Sequence, residues 1–469
     1  MAMGRRRGVQ QGLWIDAGEI VRGEGHVFYR ALNELFRRHG FDAFVEELIE
    51  KKKLFADGVG RPSVAPGVYF RMSLVGYFEG LGSERGTAWR CADSLGLREF
   101  LGFELTQQTP DHSTLSRWRR KLPVSIHRKV FAWVVRVAQE EGVLKGRQVA
   151  IDFTTLEANA AMKSIVRKAD GATYQQYLKK LAEAEGAEQA TAADLQRMDR
   201  KRKKKVSNRQ WRSGTDADAR IARMKDGRTR MAYKVETAVD LGSGVTLAAE
   251  THAADRDDRK TVAATLLSAD ETAMSAGVEG GIEDAVLDKG YHSDAVVSNL
   301  DAKGYRGFVS EPKVRGRRNW RRCRRRFGAE EAERRRRAIY ANRRRTRSAE
   351  GRRLQKKRAE YPERGFALMK RSGGLSRFHV RGRREVSKKV QLHVAAANLG
   401  VILRKMTGVG TPRSLQGRLA AALSSLLVSL LTLIRSVSRT RRELLAPTTP
   451  SPSPAAMTIV TPGHLAAST

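Results

Sequence analysis

Three acidic residues, far apart along the chain, have the surroundings expected of carboxylates that act together. Asp152 follows the apolar residues 149–151, and Asp288 follows a second apolar run at 285–287. Short apolar runs of this kind predict buried strands. Glu363 lies later, in a segment whose pattern predicts a helix. Because a mixed sheet brings neighbouring strand ends together, we expect Asp152 and Asp288 to share one cleft and Glu363 to approach them.

Such a trio of carboxylates points to metal-dependent phosphodiester chemistry. Three carboxylates around one cleft repel each other unless divalent cations neutralise them, and oxygen ligands suit Mg²⁺ or Mn²⁺. Two ions about 3.5–4 Å apart can activate the attacking oxygen and stabilise the leaving oxygen of an in-line displacement. The pattern therefore predicts two Mg²⁺ or Mn²⁺ ions held by Asp152, Asp288 and Glu363. Glu360 stays open as an alternative third acid, since it lies three positions away on what can be the same helix face.

The net charge indicates a polyanionic partner. Among 469 residues, Lys and Arg number 89 and Asp and Glu number 51, a formal charge of +38. A soluble enzyme of small metabolites does not need this charge, whereas nucleic acid explains it. The two cysteines, Cys91 and Cys323, exclude a disulfide scaffold and the usual structural zinc site. They fit a reducing cytosol.

A basic helix is predicted after Pro110, with Asp111 or Ser113 as its N-cap. An apolar seam runs along one face, at Leu115, Trp118 and Leu122. The basic residues proposed to contact DNA lie mostly on the other faces: Arg117, Arg119, Arg120 and Lys121. A helix of this kind can dock on DNA. The alternative is an amphipathic surface helix with no ligand.

Residues 313–347 carry 17 Lys and Arg against three Glu. So dense a charge repels itself without a polyanion. We therefore expect nucleic-acid contact there, with candidates Arg321, Arg322 and Arg324, against the alternative of a solvated loop.

The remaining pattern predicts an α/β chain. The first 140 or so residues read as helical. A strand at 149–153 is followed by a charged helical stretch at 164–206 and a hairpin formed by 231–240 and 245–250. A helix at 258–273, a strand at 285–288, a helix at 293–303 and a strand at 305–309 come next. Short helical segments follow at 362–370 and 392–403.

Seven short motifs occur together and carry a family resemblance. They are SERG at 83–86, WRCADSL at 89–95, PDHST at 110–114, DFTTLEANAA at 152–161, MKDGRT at 224–229, DKGYHS at 288–293 and ERGFA at 363–367. In this order they resemble bacterial insertion-sequence transposases of the DDE class. The similar group has an N-terminal helical DNA-binding domain and an RNase H-like mixed-sheet catalytic core.

The resemblance implies a role for each matching residue. Asp152, Asp288 and Glu363 are the first, second and third acids. Lys370 stands where a wider transposase pattern places a lysine, and it could hold a phosphate or be an ordinary surface residue. Tyr291 is expected to contact DNA or to stack or hydrogen-bond beside the site, unless it merely caps the strand. Pro362 predicts that a helix starts there, with Glu363 in its first turn.

The predicted organisation has five parts. They are a helical DNA-binding domain at 1–145, an RNase H-like core at 146–310 with a helical insertion at about 160–225, a basic Arg-rich segment at 311–348, C-terminal helices at 349–440 that complete the core, and a disordered tail at 446–469. The apolar stretch 419–434 is shorter than the roughly 20 residues of a membrane span, and we expect a buried helix there. No membrane partner is expected, and the predicted location is the cytoplasm, on the nucleoid.

The predicted function is a DNA transposase that binds the ends of its insertion sequence and catalyses metal-dependent cleavage and strand transfer. Double-stranded DNA, as element ends and target, is the partner. A homo-oligomer on DNA is expected, since two ends must be joined. The alternative is a catalytically inactive, decayed or domesticated transposase that still binds DNA. A structural RNA-binding protein would explain the charge but not the paired acids.

Overall fold

The fold is described from a computed structural model, which covers residues 26–55, 63–187, 189–202, 206–312 and 318–412. These residues fall within one unit, Met1–Ala421, and the second unit, Ala422–Thr469, is outside the described residues. The helix predicted at 419–434 and the tail predicted from 446 are outside them as well. In the ranges given, no helix is long and apolar enough to cross a membrane.

The predicted helical character of the N-terminal region is confirmed. Its helices are α1 (Val27–Arg38), α2 (Phe41–Glu50), α3 (Pro66–Glu79), α4 (Glu84–Asp93), α5 (Leu95–Leu101), α6 (His112–Lys121) and α7 (Val124–Glu140). Phe28, Leu32 and Leu35 recur at helical spacing, and all three are buried in the core. Asp111 is the N-cap of α6, and its side chain accepts a hydrogen bond from the Thr114 amide.

A mixed sheet follows and forms the centre of the second half of the chain. Its strands are β1 (Gln148–Glu157), β4 (Arg220–Arg223), β5 (Thr229–Asp240), β6 (Thr246–Ala253), β7 (Asp284–Leu287) and β8 (Arg306–Val309). The strand order is β4-β5-β1-β7-β8. The sixth strand, β6, also pairs with β5, along a later part of β5 than β4 does. β5 is antiparallel to β1 and β6, whereas β7 is parallel to β1 and β8. This mixed sheet and the helices around it confirm the predicted RNase H-like core.

Between β1 and β4 lies an insertion that is less purely helical than predicted. It contains α8 (Tyr174–Ala184) and α9 (Ala192–Lys201), but also a separate two-stranded sheet of β2 (Ile165–Arg167) and β3 (Trp211–Ser213). Trp211 is buried against the rings of Tyr174 and Tyr177. This aromatic contact joins the short strands to the main hydrophobic core, a long-range effect that periodicity does not reveal.

Helices cover both faces of the main sheet. They are α10 (Asp258–Ser275), α11 (Asp294–Ala302), α12 (Trp320–Phe327), α13 (Ala329–Arg347), α14 (Ala349–Gly373) and α15 (Arg383–Thr407). On one face, Thr261 of α10 donates a hydrogen bond to Glu236 of β5. On the other face, Leu354 of α14 packs in a cluster with Ala150 and Val286.

Asparagine side chains cap two strands at the margins of the sheet. Asn342 of α13 accepts from the amide of Val309 at 2.8 Å and donates to its carbonyl at 2.9 Å. Asn398 of α15 makes the same pair of bonds with Thr246 of β6, both at 2.8 Å. Each amide thus replaces a neighbouring strand, which satisfies backbone groups that would otherwise be buried without partners.

Candidate active site

Asp152 and Asp288 are neighbours because of the register of two parallel strands. Ile151 of β1 pairs with Leu287 of β7, and each aspartate is the next residue along its strand. The prediction that both stand at strand ends is correct only for Asp288, since β7 ends at Leu287. β1 continues to Glu157 because β5 pairs with it along that whole extension. Asp152 therefore lies inside β1, where its parallel partner stops.

One guanidinium group lies between the two carboxylates. Arg358 Nη2 is 3.4 Å from Asp152 Oδ2, and Arg358 Nη1 is 3.5 Å from Asp288 Oδ2. The side chains are 18% exposed for Asp152, 36% for Asp288 and 15% for Arg358. The structure thus brings two of the three predicted acids to one positive charge.

The surroundings of Asp152 raise the pKa of its carboxyl group. Burial is the largest cause, because it penalises the charged form, and the nearby charge of Asp288 adds to it. The Phe153 amide donates to Asp152 Oδ1 at 2.8 Å, and the positive charges of Arg358 and Lys225 act in the same lowering direction. The net effect is a raised pKa of Asp152, because burial outweighs these lowering contributions.

α14 holds Arg358 in this position by bonding to the sheet. Gln355 Nε2 donates to the carbonyl of Leu287 at 3.2 Å and to the carbonyl of Phe308 at 2.6 Å. These carbonyls lie at the ends of β7 and β8, and Leu287 immediately precedes Asp288. One turn of α14 is therefore fixed to the strand end that carries the second aspartate.

Glu363 does not join the aspartate pair in this structure. The prediction that Pro362 starts a short helix is wrong, since both residues lie inside the 25-residue α14. A proline inside a helix costs about 3 kcal/mol, and the buried contacts of α14 offset this. Glu363 is exposed and lies about 140° around the helix from Arg358, at roughly 100° per residue. Among the described residues, no group of three His, Cys, Asp or Glu is placed to hold a metal ion.

Glu360, the alternative third acid, does not join the aspartate pair either. Glu360 is 52% exposed and pairs with Arg364 at 2.9 Å on the same helix. The choice between Glu360 and Glu363 stays a prediction.

Lys225 acts electrostatically on Asp152, and Lys370 in turn is affected by Lys225. Lys370 is half-buried. Glu363 lies seven residues earlier in α14, so the two residues fall on the same stripe of the helix. Burial lowers the pKa of Lys370, and the charge of Lys225 lowers it further. Lys225, in the turn between β4 and β5, also acts on the pKa of Asp152. Lys225 therefore lies close enough to Asp152 and Lys370 for its charge to lower the pKa of each.

Tyr291 is not placed to contact DNA, which corrects that part of its predicted role. Its side chain is 1% exposed, and its hydroxyl donates to Glu236 Oε1 at 2.9 Å. Glu236 is fully buried and also accepts from Thr261 at 2.9 Å and Thr265 at 2.5 Å. Burial and the charge of Glu236 raise the pKa of Tyr291. The tyrosine thus fixes the segment after Asp288, as the hydrogen-bonding alternative predicts.

Sequence reasoning did not single out Glu236. The available signal was an acid in the middle of the alternating run 231–240, whose other charged residues are Lys234 and Asp240. A buried carboxylate needs donors from elsewhere in the chain, and here α10 and Tyr291 supply them.

The basic residues of α6 divide into exposed and paired ones. Arg117, Arg120 and Lys121 are exposed, as predicted for a surface that meets DNA. Arg119 is different, because its side chain is 12% exposed and pairs with Glu84 at 2.6 Å and Glu385 at 2.5 Å. Its assignment to DNA is corrected: Arg119 ties α6 to α4 and α15.

The Arg-rich segment forms helices rather than a solvated loop. Over the described residues 318–347 it comprises α12 and α13. Ala338 and Ile339 anchor α13 in the core, so a few apolar residues suffice to place it. Arg321, Arg322 and Arg324 on α12 are all exposed, which leaves them available to a ligand.

The aspartate pair fits a divalent cation on the chemistry of its donors. Two carboxylates of neighbouring strands share a single positive charge, and a hard cation prefers such oxygen ligands. The Nε atom of Arg358 is buried and, within the described part of the chain, has no hydrogen-bond partner. The guanidinium therefore does not satisfy all of its own donors in this position.

Comparison with protein families gives two matches. A model described as a transposase domain (DUF772) matches residues 16–121. A model described as a transposase DDE domain matches residues 146–399, more than half of the chain. Neither the curated proteins nor the solved structures contain a significant match to this sequence.

Proposed function

This chain belongs to the transposase DDE domain family, and from that premise we propose that it binds the ends of its own insertion sequence and catalyses metal-dependent DNA cleavage and strand transfer. The observation that carries the proposal is the aspartate pair. Asp152 and Asp288 meet at one guanidinium although 135 residues separate them.

Asp152 and Asp288 would hold the divalent cations, Mg²⁺ or Mn²⁺, of which we expect two. When bound, such ions supply Lewis acidity and charge neutralisation for in-line displacement at phosphorus. The register of β1 and β7 keeps the carboxylates adjacent, and the hydrogen bond from Tyr291 to Glu236 fixes the turn beyond Asp288. The chain thus provides a rigid pair of oxygen ligands.

Glu363 is proposed as the third acid. It lies on α14, which already contacts the sheet through Gln355, and it shares a stripe with Lys370. The support for Glu363 is its place in the motif ERGFA at 363–367, since in the structure it lies about 140° around α14 from Arg358.

Two exposed basic surfaces are proposed to bind the DNA backbone. One consists of Arg117, Arg120 and Lys121 on α6, and the other of Arg321, Arg322 and Arg324 on α12. Lys370 is proposed to hold a phosphate beside the acids. Because the reaction joins two element ends, we further propose a homo-oligomer on DNA, in the cytoplasm and associated with the nucleoid.

The experiment is a strand-cleavage assay on a duplex that carries the element end, with Mg²⁺ or Mn²⁺, beside a gel shift on the same duplex. Asp152→Asn keeps the shape of the side chain but loses the charge that holds a cation. We expect cleavage and joining to fall at least about 10³-fold, since both halves of the displacement depend on the metal. DNA binding should be retained or slightly stronger. Asp288→Asn and Glu363→Gln should behave alike.

Matched controls separate the site from general effects of charge. Asp170→Asn changes an aspartate of the insertion that is 37% exposed and pairs only weakly with Arg167, and Glu360→Gln changes the neighbouring acid on α14. Asp170→Asn should cleave normally. Glu360→Gln should do so too if Glu363 is the third acid, and loss of cleavage in Glu360→Gln but not in Glu363→Gln would assign that role to Glu360. Full cleavage by Asp152→Asn, or by the unchanged protein in a chelator, would contradict the proposal and favour a DNA-binding protein without catalysis.

A further inference from the structure

We propose that Arg358 is a positioning residue: its guanidinium is the resident countercharge of Asp152 and Asp288, and it must leave them when a divalent cation binds. The inference rests on the proposed function, because it concerns the same pair of carboxylates. It adds a residue and a competition that set how tightly the site holds its metal.

The first step is electrostatic. Asp152 and Asp288 follow paired residues of adjacent strands, so their negative charges lie close together. The side chain of Asp152 is 18% exposed and that of Asp288 is 36% exposed. Two carboxylates in such a place repel each other unless a cation stands between them. Arg358 is within 3.5 Å of both and satisfies that need without a metal.

The second step is that Arg358 is held loosely. Its contacts of 3.4 and 3.5 Å are long beside the roughly 2.7–2.9 Å of a charge-assisted hydrogen bond. Arg343 shows the tight form in the same protein, with bonds of 2.7 and 2.9 Å to both oxygens of Glu311. The guanidinium of Arg358 is therefore a weakly bonded, exchangeable cation.

The third step is that the side chain can move while its helix stays. Gln355, three residues earlier, bonds to two strand-end carbonyls, and Lys357 Nζ donates to the carbonyl of Leu241 at 3.0 Å. Leu354 is fully buried. With α14 anchored by three residues just before the arginine, only the flexible arginine side chain needs to leave the carboxylates.

The test measures Mn²⁺ binding to the full-length protein without DNA. Bound Mn²⁺ is detected as a loss of the electron paramagnetic resonance signal of free Mn²⁺. We expect Arg358→Gln to bind Mn²⁺ about tenfold more tightly with the same number of ions, because a competing cation is gone. The Mn²⁺ affinity of Arg358→Lys should lie between those of the unchanged protein and Arg358→Gln, since one ammonium cannot span both carboxylates as a guanidinium does. A residue that merely supported the fold would lower the affinity when replaced.

Two controls sharpen the result. Lys225→Gln removes a charge that also acts on Asp152 but does not bridge the pair, and it should tighten binding less than threefold. Thermal unfolding without metal should show that Arg358→Gln still folds, with a lower melting temperature that Mn²⁺ restores. An equal gain in Lys225→Gln, or unchanged or weaker binding in Arg358→Gln, would overturn the role of Arg358.

The variant Asp152→Asn distinguishes this failure from that of the proposed function. If it loses Mn²⁺ while Arg358→Gln gains nothing, the metal site stands and only the inference about Arg358 is overturned. If Asp152→Asn binds Mn²⁺ as the unchanged protein does, the aspartate pair is not a metal site and both are overturned.

Discussion

His127 of α7 is held in its neutral form by two hydrogen bonds. Its Nδ1 lies 3.1 Å from the carbonyl of Pro123 and therefore carries the proton. Its Nε2 lies 3.1 Å from the hydroxyl of Tyr69 and therefore accepts. The ring is 1% exposed, and burial lowers the pKa of His127 to about 4. A second proton on this ring would place a charge in the core and would require the Tyr69 hydroxyl to turn from donor to acceptor.

This arrangement predicts a loss of stability in mild acid. The pKa of histidine is about 6.5 in an unfolded chain, so between pH 6.5 and 4 the unfolded state binds the proton more readily than the folded state. The free energy of unfolding should therefore fall as the pH drops through this window, by about 2–3 kcal/mol at pH 4.5 from His127 alone.

Urea unfolding at pH 7 and pH 4.5 measures the effect. His127→Gln cannot titrate and should lose about 2–3 kcal/mol less stability between the two pH values than the unchanged protein. His379→Gln, at an exposed position, is the control and should leave the loss as it is. Equal losses in all three proteins would show that His127 does not titrate with folding.

At the residue scale, local patterns could reveal the aspartates but not what lies between them. Asp152 and Asp288 were recognisable because each follows an apolar run. Arg358, which meets both, lies in a stretch of basic residues that look alike in sequence. Only the register of α14 on the sheet selects this arginine from its neighbours, and register is a long-range property.

At the scale of the elements, α6 shows how ion pairs can give different roles to two arginines that are adjacent in sequence. Arg119 lies between Glu84 of α4 and Glu385 of α15, and Lys388 adds a hydrogen bond to the Arg119 carbonyl at 2.8 Å. Arg120, the next residue, is exposed. One arginine therefore joins three helices, and the other is available to DNA.

The two arginines should give opposite results when replaced by alanine. Arg119→Ala leaves Glu84 without its ion-pair partner and leaves Glu385 with Lys388 alone. It should lower the free energy of unfolding by about 2–4 kcal/mol, toward the low end for buried pairs because water reaches the acids. Arg120→Ala should change stability by less than about 0.5 kcal/mol and weaken DNA binding.

Chemical unfolding and gel shifts on both variants measure this separation. Arg119→Ala combined with Glu84→Gln should recover part of the lost stability, since the carboxylate that lost its partner is gone, while Glu385 keeps its ion pair with Lys388. A stable Arg119→Ala that binds DNA poorly would return Arg119 to the DNA-binding surface.

The order of the elements was largely predictable, whereas their ends were not. The alternation of 231–240 gave the hairpin of β5 and β6, and the stripe Val262, Leu266 and Ala269 gave α10. β1 runs beyond Asp152 because β5 is long enough to pair with it. α14 runs through Pro362 because packing on the sheet outweighs the local preference. Both deviations come from partners distant in sequence.

For the molecule as a whole, the charge of +38 predicts a steep dependence of DNA binding on salt. Each phosphate contact contributes about 0.9 to the slope of log K against log salt concentration. Replacing Arg321, Arg322 and Arg324 by serine should lower this slope by up to about 2.7 and weaken binding to all sequences alike.

Fluorescence anisotropy at several salt concentrations measures the slope. The matched control replaces Arg334, Arg335 and Arg336, which are engaged with Glu331 and Glu333 on their own helix. It should change the slope less. An unchanged slope after replacement on α12 would mean that this helix is only a solvated surface.

The packing of α15 also sets the time at which the protein can finish folding during synthesis. This helix bonds to residues of the N-terminal region, with Lys405 Nζ donating to the carbonyl of Gly142 at 2.6 Å and the ring of His393 lying 5.3 Å from that of Tyr77. Its last residue, Thr407, is translated long after α7 ends at Glu140. At 5–20 residues per second, the N-terminal helices wait roughly 13–55 s on the ribosome for their final partner. A ribosome that stalls in this interval would release a chain whose first helices lack that partner, which makes such a fragment a natural substrate for chaperones and proteases.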